Sequence, residues 1–294
     1  MTYRAVLLLP ALLIAAPAFA QDDDAPAPAP TSAPGGIDPE KLNGDSLRIG
    51  VVAGVTPSYE GSDDLVFAAV PGIQGRVSGI NFGLRGNRAY ADLIPTEGGP
   101  GWDFQAGPIV SVNFNRARRS AIRDPQVRAL PIRKLAVEVG GYVGIGKQGV
   151  FTSDYDKLSV SVAYTHDIAG IHKSEVITPS IDYGTPLSTK AFVGLNLSAN
   201  YVGDGYARTY FGVNSPAEAA ASGLPQFDAK KGWKDWTLSG VGVVSLTGDL
   251  TGGLGLMGLV SYRRMLEDAA RSPLTSIAGS KDQWTAMGGL VWTF

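Results

Sequence analysis

The sequence predicts an all-β fold: a transmembrane, antiparallel up-and-down β-barrel of about 12 strands, with one short helix in a long loop. Three observations predict it. Period-two alternation of apolar with small or polar residues recurs along the chain from Ser46 to Phe294. No stretch after Ala20 approaches the roughly 18 apolar residues that a spanning helix requires, so helical membrane proteins are excluded. The last alternating segment, Gln283 to Phe294, carries aromatic residues near both ends, as a strand crossing both interfaces of a bilayer does.

Residues 1–20 read as a cleavable signal peptide. Arg4 precedes an apolar run from Ala5 to Ala16, and Ala18-Phe19-Ala20 forms a small-x-small cleavage site. Residues 21–45 are first acidic and then rich in alanine and proline (DDDAPAPAPTSAPGG), a composition that buries nothing, and they read as a disordered tether. Residues 46–294 form one barrel domain. The chain has no cysteine, which removes disulfides, thiolate metal sites and lipid attachment. A formal net charge of -2 gives no electrostatic case for nucleic acid.

The strands are expected at 46–56, 65–76, 102–113, 134–147, 157–166, 174–184, 190–201, 233–246, 253–263 and 283–294. The clearest is Lys157 to Thr165: Leu158, Val160, Val162 and Tyr164 face lipid, and Ser159, Ser161, Ala163 and Thr165 face the lumen. Val193, Leu195 and Leu197 oppose Asn196, Ser198 and Asn200 in the same way. Leu135, Val137, Val139 and Val143 oppose Glu138 and Tyr142. Asn81 to Ile94 read as one strand makes the total odd, which bacterial single-chain barrels avoid; a turn at Gly86-Asn87 makes it a short hairpin and the total even. That count puts 114–133, 167–173, 202–232 and 264–282 outside, and tight turns near Gly149, Thr185 and Gly248 in the periplasm. A signal peptide followed by such a barrel predicts an integral protein of a Gram-negative outer membrane.

The segments "GVTPSYEGSDD" (Gly54 to Asp64), "YFGVNSPAEAAASGLPQFDA" (Tyr210 to Ala229) and "SYRRMLEDAARSPL" (Ser261 to Leu274), followed by "GSKDQW" and a terminal aromatic, resemble the MltA-interacting protein / OmpV family. The resemblance covers nearly all of Leu47 to Phe294. It marks Tyr59, Glu60, Gly61, Ser62, Asp63, Asp64, Tyr210, Phe211 and Gly212 as family motif loops. It implies an outer-membrane barrel and, for the founding member, a scaffold bridging a murein-degrading lytic transglycosylase and a murein synthase. The alternation ending in Trp292 and Phe294 also resembles the signal that the barrel assembly machinery reads.

Asp63 and Asp64 form a surface turn, with too few carboxylates for a strong cation site. In "SPAEAAASG", Ser215 caps a helix, Pro216 suits its first position, Glu218 stands three residues past the cap and Gly223 ends it; the helix either packs a loop or plugs the lumen. Guanidinium pairs bidentately with phosphate, so Arg116, Arg118, Arg119 and Arg123 are candidate ligands for lipopolysaccharide. No aromatic interleaves these arginines, which argues against nucleic acid. Gly141 to Lys147 imitates a phosphate loop but lacks the following Ser or Thr and a helix. His166 and His172 read as neutral surface histidines. No catalytic, metal or cofactor site is expected. The expected function is a non-enzymatic scaffold or binding protein linked to murein, with a small solute pore as alternative and a surface hydrolase as a remote one. Arg48, Asp103, Glu138, Asp182 and Arg263 should point into the lumen, where mutual pairing would favour a plugged barrel.

Overall fold

The computed structural model describes residues 44–96 and 100–294. The expected signal peptide and most of the expected tether lie outside the described residues. The described chain forms a closed antiparallel barrel of twelve strands. They are β1 (Ser46–Pro57), β2 (Leu65–Val77), β3 (Ile80–Arg85), β4 (Arg88–Ala91), β5 (Gly101–Asn113), β6 (Ala136–Gln148), β7 (Lys157–Asp167), β8 (Glu175–Pro186), β9 (Ala191–Val202), β10 (Gly232–Ser245), β11 (Gly253–Met265) and β12 (Asp282–Thr293). Each pairs with its sequence neighbours, and β1 closes on β12 from Arg48↔Thr293 to Val55↔Ala286. The expected hairpin is present: β3 and β4 turn at Gly86 and Asn87, and Gly86 adopts φ 62 as a tight turn requires.

The outward face is apolar because only lipid accepts it. Val160, Val162 and Tyr164 are exposed, whereas Ala163 and Thr165 between and beyond them are buried in the lumen. Aromatics mark both ends of the wall. At the end with the long connections, Trp233 meets Tyr201 at 5.6 Å between ring centroids, and Tyr262 lies between Trp236 at 5.3 Å and Trp284 at 4.9 Å. At the other end Lys147 sits over Trp102 and Trp292 neighbours Phe294. These are the two interfacial girdles.

With its strands turned apolar side out, the barrel wall has no core of its own. The two buried apolar clusters among the described residues are built mainly from the long connections. One gathers Tyr206, Tyr210, Phe211 and Met265, and the other Tyr59, Ile122, Val127, Leu130, Leu224 and Leu274. Among the described residues, five short α-helices lie in these connections, α1 (Pro125–Ala129), α2 (Asp204–Phe211), α3 (Pro216–Ser222), α4 (Glu267–Arg271) and α5 (Pro273–Ser276), with one 3-10 turn at Arg119–Ala121. The expected helix is α3, with Ser215 Oγ accepting from Glu218 N at 3.2 Å and Gly223 left-handed at φ 71. All five are too short for a periodic signal, and α3 is legible through its cap and its terminal glycine rather than through periodicity.

Candidate functional site

α2 occupies the barrel mouth, and Tyr206 shows this best. Its hydroxyl donates to Glu60 Oε2 of the β1–β2 connection at 2.9 Å. It accepts from Asn113 Nδ2 of β5 and from Lys234 Nζ of β10, each at 3.2 Å. Its ring lies 5.0 Å from that of His172, in the β7–β8 connection. A side chain that touches the wall on so many sides stands near the barrel axis. Val176 of β8, Val202 of β9 and Met265 of β11 complete the enclosure.

The C-terminus of α2 is tied down carbonyl by carbonyl. Asn214 Nδ2 donates to Arg208 O at 3.0 Å, Arg133 Nε to Thr209 O at 2.8 Å, Arg116 Nη1 to Tyr210 O at 3.3 Å and Ser272 Oγ to Phe211 O at 2.6 Å. Arg208 O also accepts the closing bond of the helix from Gly212 N, whereas Thr209, Tyr210 and Phe211 carry the last acceptors, which a helix leaves unpaired, and guanidinium groups also suit its negative end. Arg116 is 2% exposed, and burial together with nearby Arg133 brings its pKa down to about 10. The candidate lipopolysaccharide set is corrected accordingly. Arg116 is an internal brace, while Arg118, Arg119 and Arg123 remain exposed.

Below α2 runs a charged chain. Lys234 Nζ donates to Glu60 Oε1 at 2.7 Å and lies 3.4 Å from Asp235 Oδ2, while Arg263 approaches Glu60 at 3.5 Å. Asn200 Nδ2 donates to Asp235 Oδ1 at 2.8 Å. Consecutive residues Lys234 and Asp235 can both be buried because the β9–β10 register shifts between Trp233 and Asp235. Burial opposes ionisation of Glu60, but Lys234, Arg263 and the Tyr206 hydroxyl outweigh it and hold the carboxyl below its ordinary range. Burial, reinforced by Glu60, pushes the Tyr206 phenol well above its own, so it remains a donor.

On the opposite side Glu138 accepts from Ser111 Oγ at 2.7 Å, and His172 Nε2 lies 3.3 Å away. His172 is buried against Tyr206 and Tyr210, which corrects its reading as a surface residue; His166 does face outward. The five inward charges find other partners than one another. Asp103 pairs with Lys157, Glu138 with His172, Asp182 with Arg85, Arg263 with Glu60, and Arg48 donates to Leu250 O. The contacts that span the mouth are those of Tyr206 in the cap, not a mutual pairing of these charges.

The motif loops converge on this cap. The Tyr59 hydroxyl donates to Leu274 O at 3.1 Å and to Ala278 O. Gly61 has φ 102, and a Cβ there would stand 2.4 Å from Thr275 Oγ1. Gln283 Nε2 donates to Ser62 O at 3.0 Å. Tyr210 and Phe211 are buried within α2, and Gly212 N donates to Arg208 O at 3.2 Å. Asp63 is exposed, and Asp64 N donates to Ser62 Oγ in the same turn. Tyr206, Lys234 and Asp235 were missed by sequence reasoning. A signal existed for the last two: outward Trp233 and Trp236 are three apart, not two, which marks a bulge between them.

The fold and its capped mouth define a membrane-spanning β-barrel of the outer-membrane type. The family described as MltA-interacting protein MipA matches residues 49–294, and the chain belongs to that family. Similar solved structures include a Pseudomonas aeruginosa FadL homologue at 9% identity and TM-score 0.31, covering 85% of this chain and 89% of that one. The Pseudomonas putida toluene transporter TodX follows at 8% identity and TM-score 0.34, covering 87% and 91%. A bacterial polysaccharide outer membrane secretin gives 11% identity and TM-score 0.34, covering 86% and 98%. No curated protein matches the chain.

Proposed function

We propose that this protein is a non-enzymatic scaffold or binding protein of a Gram-negative outer membrane, linked to murein metabolism, with its long connections facing outward. The observation that carries this reading is the Tyr206–Glu60–Lys234 network across the mouth, which places bonded, buried side chains where a pore would have to open. That weighs against the pore. The hydrolase loses support too, since His172 is enclosed by aromatic rings and His166 lies on the lipid side of β7. The family name points to a murein-degrading enzyme as partner, and such enzymes approach from the periplasm. On that side the barrel presents short connections such as 187–190 and 246–252, so the 21–45 segment, whose proline-rich composition suits a peptide-binding groove, is the natural contact. The test compares full-length protein with a variant lacking Asp22 to Gly36 for co-purification of murein hydrolases and synthases. Loss of partners on truncation is expected. Full retention moves the contact to the barrel, and absence of partners from both, with step conductance in planar bilayers, overturns the scaffold in favour of a pore.

A further inference from the structure

The β3–β4 hairpin is too short to fill its sector of the wall. β2 pairs with β1 from Leu65 to Arg76 but with β3 only from Ile73 to Val77. Across the hairpin, β4 meets β5 from Arg88↔Ser111 to Tyr90↔Ile109, and Val112 N donates to Asn87 O at 3.0 Å and Leu93 N to Ala106 O at 2.8 Å, so β5 is bonded on this side almost to its end at Asn113. The edge of β2 from Leu65 to Gly72 therefore has no strand beside it, and among the described residues no backbone hydrogen bond outside the β1 ladder reaches it. Above this gap, Glu60 N and Asn115 Oδ1 join the β1–β2 and β5–β6 connections at 3.1 Å. In hydrocarbon an unpaired strand edge is costly unless something satisfies it.

Behind the gap the lumen wall is apolar. Residues paired across the sheet share a face, so the register traces one row through Val70, Val52, Gly289, Met257 and Val243. The next row runs through Ala68, Gly54, Met287, Leu259 and Val241. These side chains are half-buried and belong to neither core cluster. The facing wall is polar, with Ser161 against Ser180 and Asp182 against Asn196. A lumen that holds only water is expected to be polar all round.

We propose that this half of the lumen is a binding compartment for the alkyl chain of a membrane amphiphile, which enters sideways from the bilayer above the β3–β4 hairpin, between the bare edge of β2 and the start of the β5–β6 connection. The cap bars the aqueous mouth, while the gap opens on hydrocarbon. The split wall matches a ligand with one apolar chain and a hydrogen-bonding head, and that head is also a partner for the bare backbone of β2.

Full-length protein in phospholipid vesicles, photolysed with a palmitic acid carrying a diazirine in its chain, tests this by mapping the adducts. Adducts are expected on Val70, Met257 and Met287 in addition to the lipid-face residues Phe67 and Val160. Met257→Glu, or the milder Met287→Gln if the first fails to fold, should lower the lumen adducts about tenfold and leave those on Phe67 and Val160 unchanged, because a charge against hydrocarbon is disfavoured. The chain lacks cysteine, so Ala69→Cys capped with a bulky maleimide blocks the gap selectively, and lumen adducts should vanish. Adducts confined to the lipid face, or lumen adducts indifferent to both the substitution and the block, overturn the proposal.

Discussion

Lys234 Nζ stands 2.7 Å from Glu60 Oε1 across a sequence separation of 174 residues, and Tyr206 bonds to both. The contact locks α2 between the first connection and β10. Replacing Lys234 by Met leaves a largely buried carboxylate with only Arg263 for a cation, and should destabilise the cap by about 3 kcal/mol. Faster proteolysis within 203–231 and a rise in bilayer conductance are the expected readouts. Glu60→Gln combined with Lys234→Met should recover part of the loss.

Acid should loosen the same lock. The Glu60 carboxyl is held below its ordinary range, so its contribution is fully present above the unfolded value of about 4.3 and is lost as pH falls through the lower folded value. Protease sensitivity of 203–231 should therefore rise between about pH 4 and more acidic conditions. Glu60→Gln should be looser at neutral pH and lack that portion of the acid response.

The facing assignment predicts a contrast on β7. Val160 faces lipid and Ser161 faces the lumen, where it bonds to Ser180 at 2.9 Å. Val160→Arg should cost roughly 2–4 kcal/mol and reduce the heat-modifiable barrel in the membrane, whereas Ser161→Arg should accumulate nearly normally. Equal accumulation would reverse the facing.

Gly61 adopts a left-handed backbone at φ 102 against Thr275. Gly61→Ala should destabilise the cap by roughly 1–3 kcal/mol through backbone strain and the clash with the Thr275 hydroxyl. Urea unfolding should show the cap losing protection before the barrel does.

The two arginine environments should separate in lipopolysaccharide binding. Arg118→Gln, Arg119→Gln and Arg123→Gln together should weaken it several-fold in low salt, since exposed charge contacts contribute roughly 0.3–1 kcal/mol each and are screened. Arg116→Gln should instead disturb the cap, because Arg116 bonds to Tyr210 O and Pro131 O. Unchanged affinity of the triple variant at low salt would show that the loop is only solvated.

What the sequence by itself determined was the barrel wall: twelve strands, the side of β7 that faces lipid, the hairpin turning at Gly86-Asn87, and the ends of α3 at Ser215 and Gly223. Each of these follows from local physics, a two-residue repeat imposed by lipid on one face or a cap and turn imposed by backbone geometry over a few residues. The cap was decided only by tertiary structure. Tyr206, Glu60, Lys234 and His172 lie far apart in sequence, and nothing near Arg116 separates it from exposed Arg118. Their roles come from chain closure, which carries the connections over the mouth and leaves the acceptors at the end of α2 to be satisfied by whatever donors arrive there. The shortfall of the β3–β4 hairpin is likewise a matter of register: its length was legible, but the bare edge of β2 exists only because β2 runs on beyond the short β3 that pairs with it.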